Sequence, residues 1–502
     1  MNSRPSSFSA VVLLALLGLG AAASASSDTE RSIFSSTVRG SVSPTQHPLV
    51  AQYTLVAPTV GHVSVEFGRD RSYGRRTGSK TMSRPGSTVK ILVAGMRPNT
   101  TYHMRARIEL NGRVSYDVDH TFTTGALPPV SFPVVKVNRH GGPTSGGGVD
   151  LVNNLSGAAV QAAVFDTDGS VIWYYYDPNC PGFVFPIRPL ANGNFLVNYE
   201  VGIREVDLLG NVIREVTLSQ LNAALAAAGY SLNTSNIHHD AIGLDNGHWI
   251  FLVNEWRSFQ DLPGYPGTLW VIGDAVVDLD SNNQVAWVWS AFDHLDINRH
   301  PYGFPPDWTH SNALVYLPDG NLLISMRHQS WVLKLDYANG TGSGDILWRL
   351  GFQGDFSLSD GLDAGAWFYN QHFPLVLENH GSKYRLAVYD NGNTRPDKTG
   401  QPCYMSNSCY SRGVIMELDE SARTAEVNWQ YKLPWFSNWG GSITALPGGY
   451  VEMDSSTVNG GNARIVEVPL GSARSVVWEM NAENVNFYRA YRIPSLYPGV
   501  RW

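Results

Sequence analysis

Three histidines lie at similar distances before tight-turn signals in different parts of the chain. They are His239 in 237–242 (IHHDAI), His310 in 307–314 (DWTHSNAL) and His372 in 368–374 (FYNQHFP). Histidine exchanges protons near neutral pH, attacks electrophiles and binds metals. If the three segments are equivalent elements of repeated units, their side chains meet at one site.

Basic and amide side chains accompany these histidines. Arg327 follows the strand-like segment 322–325 (LLIS), Asn312 comes two residues after His310, and Arg489 lies in 487–492 (FYRAYR). A pocket with histidine and arginine but few carboxylates suits an anion. For Arg327, an ion pair between neighbouring units remains an alternative. Because side chains alternate along a strand, His328 is expected on the opposite face.

Two other interpretations of the histidines stay open. They can be hydrogen-bonded structural links between units, or they can bind a metal together with Asp240. The chain lacks the short His-x-x-x-His spacing of many metal sites, which favours a site without a metal.

The elements that would position these residues repeat along the chain. Each unit has a strand ending in an acidic residue, a turn and, except in the second unit, a strand with tryptophan. The units are 164–173, 206–213, 277–289, 333–348, 416–429 and 466–478. Further hairpin signals fall at 190–197, 244–247, 317–321 and 446–449. About four antiparallel strands per unit predict an all-β, six-bladed β-propeller over 151–502, with the histidine segments as innermost strands.

A smaller all-β domain is predicted before the repeats. Segments 63–67 and 101–108 alternate as strands do, and 96–102 (MRPNTTY) resembles the tyrosine corner of fibronectin type III sandwiches. The sequence thus predicts a β-sandwich over 30–126. Residues 127–150, rich in proline and glycine, are predicted as a linker or an extended crossing segment.

Composition and the first residues limit the class of protein. The 502 residues carry a net charge of -7, with 16% charged and 43% hydrophobic residues, which excludes a disordered chain and argues against a nucleic-acid partner. Residues 1–25 resemble a secretory signal peptide, with an apolar stretch at 10–19 and small residues at 23–25. That stretch is shorter than the ~20 residues that span a bilayer, which disfavours a membrane anchor. We expect a periplasmic or secreted protein without a membrane span.

The motifs together resemble those of the bacterial arylsulfate sulfotransferases. The resemblance rests on 307–312 (DWTHSN), 325–330 (SMRHQS), Gln371-His372 followed by 388–393 (VYDNGN), 238–240 (HHD) and 488–490 (YRA). It extends from about 135 to 493 and implies a six-bladed propeller.

The resemblance also implies an activity and roles for the residues. Members of the family move a sulfuryl group from a phenolic sulfate ester to a phenolic acceptor through a sulfated histidine, without a nucleotide sulfate donor. Carried over by motif, His372 is the sulfated histidine, His239 and His310 support it, and Asn312 and Arg327 complete the anion site. Thr444 and Tyr488 are the implied substrate-binding residues. No cofactor is expected, the partners are the two small phenolic substrates, and a homo-oligomer remains compatible with the sequence.

The residue types suit this chemistry without the resemblance. Neutral imidazole can attack sulfur, a protonated histidine can assist the departing phenol, and Arg327 with Asn312 can hold the other oxygens. Aromatic side chains that could flank the phenyl rings are Trp308, Phe373, Trp435, Phe436 and Trp439. Two other functions remain open: an aryl sulfate hydrolase and a non-catalytic exported binding or adhesion module. Finally, export and close spacing predict a disulfide between Cys403 and Cys409, leaving Cys180 free.

Overall fold

The computed structural model describes residues 40–303, 305–359, 364–472 and 474–502. The predicted signal peptide at 1–25 therefore lies outside the described residues. The regular secondary structure of the described residues is mainly β-strand, with one α-helix, α1 (Leu218–Ala227). Within these residues no helix combines the length and apolar character needed to cross a membrane.

The first nine strands form two antiparallel sheets. One has the order β1-β2-β6, and the other has β4-β3-β7-β8 with β5 paired to β3 and β9 to β7. Alternate residues of β2, β3 and β7 are buried between the sheets, among them Tyr53, Phe67 and Met104. Their bounds are β1 (Gly40–Pro44), β2 (Ala51–Val56), β3 (Gly61–Gly68), β4 (Arg75–Arg76), β5 (Lys80–Met82), β6 (Thr88–Val93), β7 (Thr101–Leu110), β8 (Arg113–Tyr116) and β9 (His120–Thr123).

The remaining strands build six antiparallel sheets. Their bounds are β10 (Val135–Arg139), β11 (Val149–Ser156), β12 (Ala162–Phe165), β13 (Val171–Tyr175), β14 (Val184–Pro189), β15 (Phe195–Tyr199), β16 (Gly202–Val206), β17 (Val212–Thr217), β18 (Ile237–Gly243), β19 (Trp249–Leu262), β20 (Tyr265–Leu279), β21 (Val285–Ser290), β22 (Ser311–Tyr316), β23 (Leu322–Met326), β24 (Trp331–Leu335), β25 (Ile346–Leu350), β26 (Ser357–Leu358), β27 (His372–His380), β28 (Lys383–Asp390), β29 (Arg412–Asp419), β30 (Thr424–Lys432), β31 (Ser442–Leu446), β32 (Tyr450–Val458), β33 (Asn462–Pro469), β34 (Trp478–Ala482) and β35 (Asn486–Ile493).

Each sheet has four consecutive strands, except the one that joins the two ends of this region. There β35, the last strand, pairs with β11 in the order β13-β12-β11-β35. The other sheets are β14 to β17, β18 to β21, β22 to β25, β27 to β30 with β26 at its edge, and β31 to β34 with β10 at its edge. The segment predicted as a linker therefore contains a strand, β10.

The first strands of successive sheets contact one another. Contacts run from β14 to β18, β22, β27 and β31, then to β35 and back to β14. We call these six strands the inner strands. The predicted histidine segments fall at the starts of β18, β22 and β27, as the turn signals indicated.

The repeated tryptophans connect one sheet to the next. Trp173, Trp289 and Trp478 are buried on the outer strands of their sheets. Their indole N–H groups donate to main-chain oxygens in neighbouring sheets, at Leu208, Gly344 and Thr167, over 2.9, 2.9 and 3.0 Å. These three tryptophans combine apolar packing with a hydrogen bond to the next sheet, whereas Nε1 of Trp348 and of Trp429 has no partner within the described residues.

The disulfide prediction is confirmed. Cys403 and Cys409 are bonded, and Cys180 is free. The sulfur atoms lie beside the main-chain oxygens of Gly392 and Asn393, so the bonded loop packs on the segment that follows β28.

Acid should destabilise the fold through His47, at the contact between the two parts of the chain. His47 is buried, its Nδ1 lies 3.2 Å from the Leu49 main-chain nitrogen and its Nε2 lies 3.2 Å from the Tyr174 oxygen. Burial lowers the pKa of His47 to about 4. Between pH 6.5 and 4 the unfolded chain therefore binds a proton that the folded chain does not, and stability falls as pH falls, by up to about 3 kcal/mol in total.

Chemical denaturation between pH 7 and 5 measures this effect. His47→Gln keeps an amide donor and acceptor but does not titrate, so its free energy of unfolding should depend less steeply on pH than that of the wild type. An unchanged slope would show that His47 does not link protonation to unfolding.

Candidate functional site

The three predicted histidines lie where the inner strands depart from regular pairing. The register shifts between His238 and Ala241 in β18, between Ser311 and Ala313 in β22, and between His372 and Leu375 in β27. His239 and His310 have φ of 53° and 51°. Few non-glycine residues adopt this left-handed region, and those that do lie mostly in turns or at functional sites. The bulges turn these side chains away from the regular alternation of the strand.

The structure brings the three histidines into one cluster. The ring centroids of His239 and His310 are 4.7 Å apart. The ring of Tyr488, on β35, lies 5.7 Å from His239 and 6.0 Å from His372. Four inner strands thus contribute to one site, as the equivalence of the repeats indicated.

His372 is buried and both of its ring nitrogens are engaged. Nδ1 lies 2.7 Å from Oδ1 of Asn391, and the Gly440 N–H donates to Nε2 over 3.2 Å. Burial, reinforced by the charge of Arg327, lowers the pKa of His372 well below its usual value. The side chain is therefore neutral at pH 7, with its lone pair on Nε2.

Gly440 can hold this position because it is glycine. Its φ is 61°, and an added Cβ would collide with Ser456 Oγ and lie 3.0 Å from the main-chain oxygen of Tyr488. The close approach of the chain here aims the main-chain N–H at Nε2 of His372.

His310 is paired with a carboxylate. Its Nδ1 lies 2.5 Å from Oδ2 of Asp307, three residues earlier. Burial opposes the charged form of Asp307, but hydrogen bonding and charge from His310 lower the pKa of this carboxyl to about 2. The ionised Asp307 fixes a proton on Nδ1 of His310 and leaves Nε2 as the atom that gains or loses a proton.

Arg327 is held by His328. From the alternation of side chains along a strand, the sequence predicted that His328 would lie on the opposite face from Arg327. That expectation is wrong because 327–330 forms a turn after β23 and does not continue the strand. The Arg327 Nη1 lies 2.7 Å from Nε2 of His328, and Nη2 donates to the Asn438 oxygen over 2.9 Å. The ring of His328 also stacks on His310, with centroids 4.6 Å apart. His328 therefore belongs to the cluster.

A metal site was one of the alternatives, and one group has suitable spacing. Asp307, His310 and His328 offer atoms within 4.8 Å of one another. However, His328 has no nitrogen to spare: Nε2 accepts from Arg327, and Nδ1 donates to the Asp307 main-chain oxygen over 3.0 Å. A metal on this ring would have to displace the guanidinium. The contacts favour an arginine-histidine-carboxylate cluster.

Asp240, the other candidate ligand, belongs to an interior ion network. Its carboxylate accepts from Arg188 over 2.6 and 3.0 Å and lies 3.2 Å from Nη1 of Arg489. The network is buried between the inner strands, with Arg489 at 0% exposure. It fixes Arg489 close enough for its charge to lower the pKa values of His239 and His372.

His239 is supported by the residue before it. The Nδ1 atoms of His238 and His239 are 2.7 Å apart, and Nε2 of His238 lies 3.2 Å from Oδ1 of Asp274. Burial, together with the nearby His310, lowers the pKa of His239 well below its usual value. The Phe185 ring stacks on His239, with centroids 5.0 Å apart.

The other predicted site residues have different surroundings. The amide of Asn312 donates to the Gln371 oxygen over 2.7 Å, which ties β22 to the residue before His372. Tyr488 OH, Thr444 Oγ1 and Arg327 Nε are buried donors that have no partner within the described residues. Donors without acceptors are rare in protein interiors. At the cluster, the Tyr488 hydroxyl and Arg327 Nε match the need of an anion for hydrogen bonds, whereas Thr444 lies further along β31, where it pairs with Glu452.

Of the aromatic residues predicted to flank the phenyl rings, Trp308 and Phe373 pack in the protein interior. Trp308 is fully buried and stacks on Phe292, and Phe373 packs under the guanidinium of Arg489. The aromatic rings that contact the cluster are Phe185, Tyr488 and Tyr302, whose ring lies 4.5 Å from His328. The first and last of these had no distinguishing sequence signal.

Three comparisons relate the chain to known proteins. The model of the arylsulfotransferase (ASST) family matches residues 135–492. No curated protein matches the chain. Among solved structures, a protein of unknown function from Bacteroides caccae is similar at 12% identity, covering 69% of this chain and 98% of its own, with a TM-score of 0.40. A DUF4221 family member from Bacteroides vulgatus is similar at 9% identity, covering 72% and 99%, with a TM-score of 0.32. Both structural similarities are too weak to indicate a function for this chain.

Proposed function

Because this chain belongs to the arylsulfotransferase family, we propose that it moves a sulfuryl group between phenols by a two-step mechanism through sulfated His372. The donor is a phenolic sulfate ester, the acceptor is a second phenol, and no nucleotide sulfate donor takes part. The observation that carries the proposal is the cluster of His239, His310 and His372: the first two rings lie 4.7 Å apart, and the ring of Tyr488 lies within 6.0 Å of His239 and of His372. Arg327 is held beside them by His328, which stacks on His310.

The state of His372 supports its role as nucleophile. The low pKa keeps the ring neutral at pH 7, and the lone pair on Nε2 accepts the Gly440 N–H, a long hydrogen bond of 3.2 Å that the sulfur atom displaces when it reaches Nε2. A neutral imidazole is the form that attacks sulfur. Arg327, held by His328 and the Asn438 oxygen, presents an unpartnered Nε to the oxygens of the anion.

His310 is suited to proton transfer with the phenol. The Asp307 carboxylate stabilises the protonated imidazole, so His310 can give a proton to the departing phenol oxygen. In the second step the same ring takes the proton of the acceptor phenol. The unpartnered hydroxyl of Tyr488, whose ring lies 6.0 Å from His372, is a further donor for the transferred group.

We propose a six-bladed β-propeller for 151–502, preceded by a fibronectin-III-like sandwich. Six sheets in a ring of contacts, closed by the pairing of β35 with β11, support the propeller. In the sandwich the Tyr102 hydroxyl accepts the Arg97 N–H over 3.0 Å, as in a tyrosine corner. We also propose export to the periplasm or the medium, which the Cys403–Cys409 disulfide supports.

The proposal is tested by mixing the purified protein with a chromogenic aryl sulfate, with and without phenol. We expect phenol-dependent release of the chromophore, formation of phenyl sulfate, and a mass increase of one SO3 on the protein when phenol is absent. The same reaction after dialysis against a strong chelator should be unchanged. A nucleotide sulfate should not replace the aryl sulfate.

Other outcomes would redirect the proposal. Sulfate release that does not need phenol would indicate a hydrolase. Loss of activity on chelation, restored by zinc or calcium, would favour the metal interpretation. A protein that neither turns over nor takes up SO3 would fit a binding or adhesion module.

A further inference from the structure

The hydrogen bonds of Asn391 determine which nitrogen of His372 carries the proton. The Asn391 Nδ2 donates to the main-chain oxygens of Ser437 and Gly440, over 2.8 and 3.0 Å. These two acceptors fix the orientation of the amide, because a rotated amide would turn its own oxygen towards both carbonyls. Oδ1 therefore faces Nδ1 of His372 at 2.7 Å, and Nδ1 must be the donor.

The other ring nitrogen is set by the same segment. Gly440, whose oxygen accepts from Asn391, donates its own N–H to Nε2 of His372 over 3.2 Å. Asn391 and Gly440 thus fix the same tautomer. Asn391 accepts a hydrogen bond from Nδ1, which keeps the proton there, and the Gly440 N–H donates to the lone pair on Nε2. Asn391 is fully buried, so water does not compete for these contacts.

The chemical type of this partner differs from that of His310. The Nδ1 of His310 faces a carboxylate, which stabilises a cationic ring and can accept its proton. The Nδ1 of His372 faces an amide oxygen, which accepts a hydrogen bond but does not remove the proton. A carboxylate suits an acid-base residue. An amide suits a ring whose Nδ1 proton has to stay in place.

Building on the proposed function, we propose that Asn391 is a positioning residue that directs sulfation to Nε2 of His372 and keeps the sulfated ring a good donor. In the first step Nε2 attacks sulfur, the N–S bond forms and the S–O bond to the phenol breaks. The bonding pair leaves with the phenol oxygen, which takes a proton from His310. His372 then carries SO3 on Nε2 and its original proton on Nδ1, so the ring is a cation.

The retained proton matters for the second step. The acceptor phenol gives its proton to His310, its oxygen attacks sulfur, and the N–S bond breaks with its electron pair returning to Nε2. A cationic ring leaves as neutral imidazole, whereas a ring that has lost its Nδ1 proton would have to leave as an imidazolate anion. The amide of Asn391 therefore keeps the intermediate reactive.

Two substitutions separate positioning from a merely structural role. Asn391→Leu has a similar volume and loses the hydrogen bond, so adduct formation should slow by about 10–100-fold, as for other partners that orient a reacting histidine. Asn391→Asp places a carboxylate against Nδ1, which can take the proton from the sulfated ring. Its adduct should form but should pass SO3 to phenol about 10–100-fold more slowly than the wild-type adduct.

Asn379→Asp is the matched control. It makes the same change of charge at the far end of β27, where Asn379 pairs with Tyr384, and should leave both half-reactions at wild-type rates. Formation and discharge of the adduct are followed by rapid mixing and intact mass. Nitrogen NMR of 15N-histidine-labelled protein, with His372 assigned from the spectrum of His372→Asn, reports the tautomer independently of folding in the variants.

The outcomes are distinct. The proposal predicts an Nδ1–H tautomer for His372 in the wild type and a loss of that preference in Asn391→Leu. An Nε2–H tautomer in the wild type, or wild-type rates of formation and discharge in both Asn391 variants, would overturn it. If the wild-type protein forms no adduct at all, the proposed function fails, while the NMR result still decides the tautomer.

Discussion

His372→Asn should form no sulfuryl adduct and should lose aryl sulfate transfer by at least about 10⁴-fold, as is usual when a nucleophile is removed. Asparagine can keep a hydrogen bond to its surroundings, but the lone pair of its amide nitrogen is delocalised into the carbonyl and does not attack sulfur. Nδ1 of His310 faces Asp307 and Nδ1 of His239 faces His238, as Nδ1 of His372 faces Asn391, so the variants at all three rings are needed to assign the nucleophile.

His380→Asn is the control for this experiment. His380 ends the same strand, β27, and its side chain is 74% exposed, so the same chemical change should leave turnover and adduct formation unaffected. Intact mass with excess aryl sulfate is measured for the wild type and both variants. An adduct in His372→Asn, with none in His310→Asn or His239→Asn, would assign the nucleophile to another ring. A wild type that turns over without any adduct would indicate direct transfer.

The sequence predicted the all-β class and the clustering of the three histidines because both follow from repetition. The all-β class and the repeated strands are observed, and the segments with His239, His310 and His372 are at the starts of inner strands, as the turn signals required. Equivalent places in repeated units converge when the units are arranged around a common axis. The repeated pattern was therefore enough to predict that the three histidines lie close together. The domain boundaries stay predictions.

The features of the site that the sequence did not predict depend on strand pairing between distant segments. The bulge that contains His239 arises from the register of β18 with β19, and His310 directly precedes the register shift between Ser311 and Ala313 in β22. No local pattern encodes that register. Asn391 is 19 residues from His372 and meets it only because β27 pairs with β28. One missed partner did have a local signal: Asp307 stands three residues before His310.

The partners of the ring nitrogens also explain why three histidines are needed. His372 faces an amide, His310 a carboxylate and His239 another imidazole, so the three rings have chemically different partners. A site that divides attack from proton transfer needs such a difference between environments. The similar spacing of the histidines in the sequence does not reveal this difference, because the partners Asn391, Asp307 and His238 do not belong to the repeated pattern.

The last prediction separates the role of His310 from that of an anion-binding group. His310→Asn should slow transfer by about 10²–10³-fold for esters of phenols with a pKa near 10, which need a proton as they leave. For esters of more acidic phenols the loss should be clearly smaller, because a stable phenolate leaves without help. Asp307→Asn keeps the shape of the partner and removes its charge, so it should show the same dependence on the leaving group.

Arg327→Lys serves as the contrasting variant in that series. It keeps the positive charge but loses the planar fork that contacts His328 and the Asn438 oxygen, so it should weaken donor binding and slow transfer by a similar factor for all esters. Rates of the first half-reaction are measured by rapid mixing across a series of aryl sulfates and plotted against the pKa of the leaving phenol. A steeper dependence in His310→Asn than in the wild type identifies a general acid. Parallel lines for His310→Asn and Arg327→Lys would show instead that His310 only binds the anion.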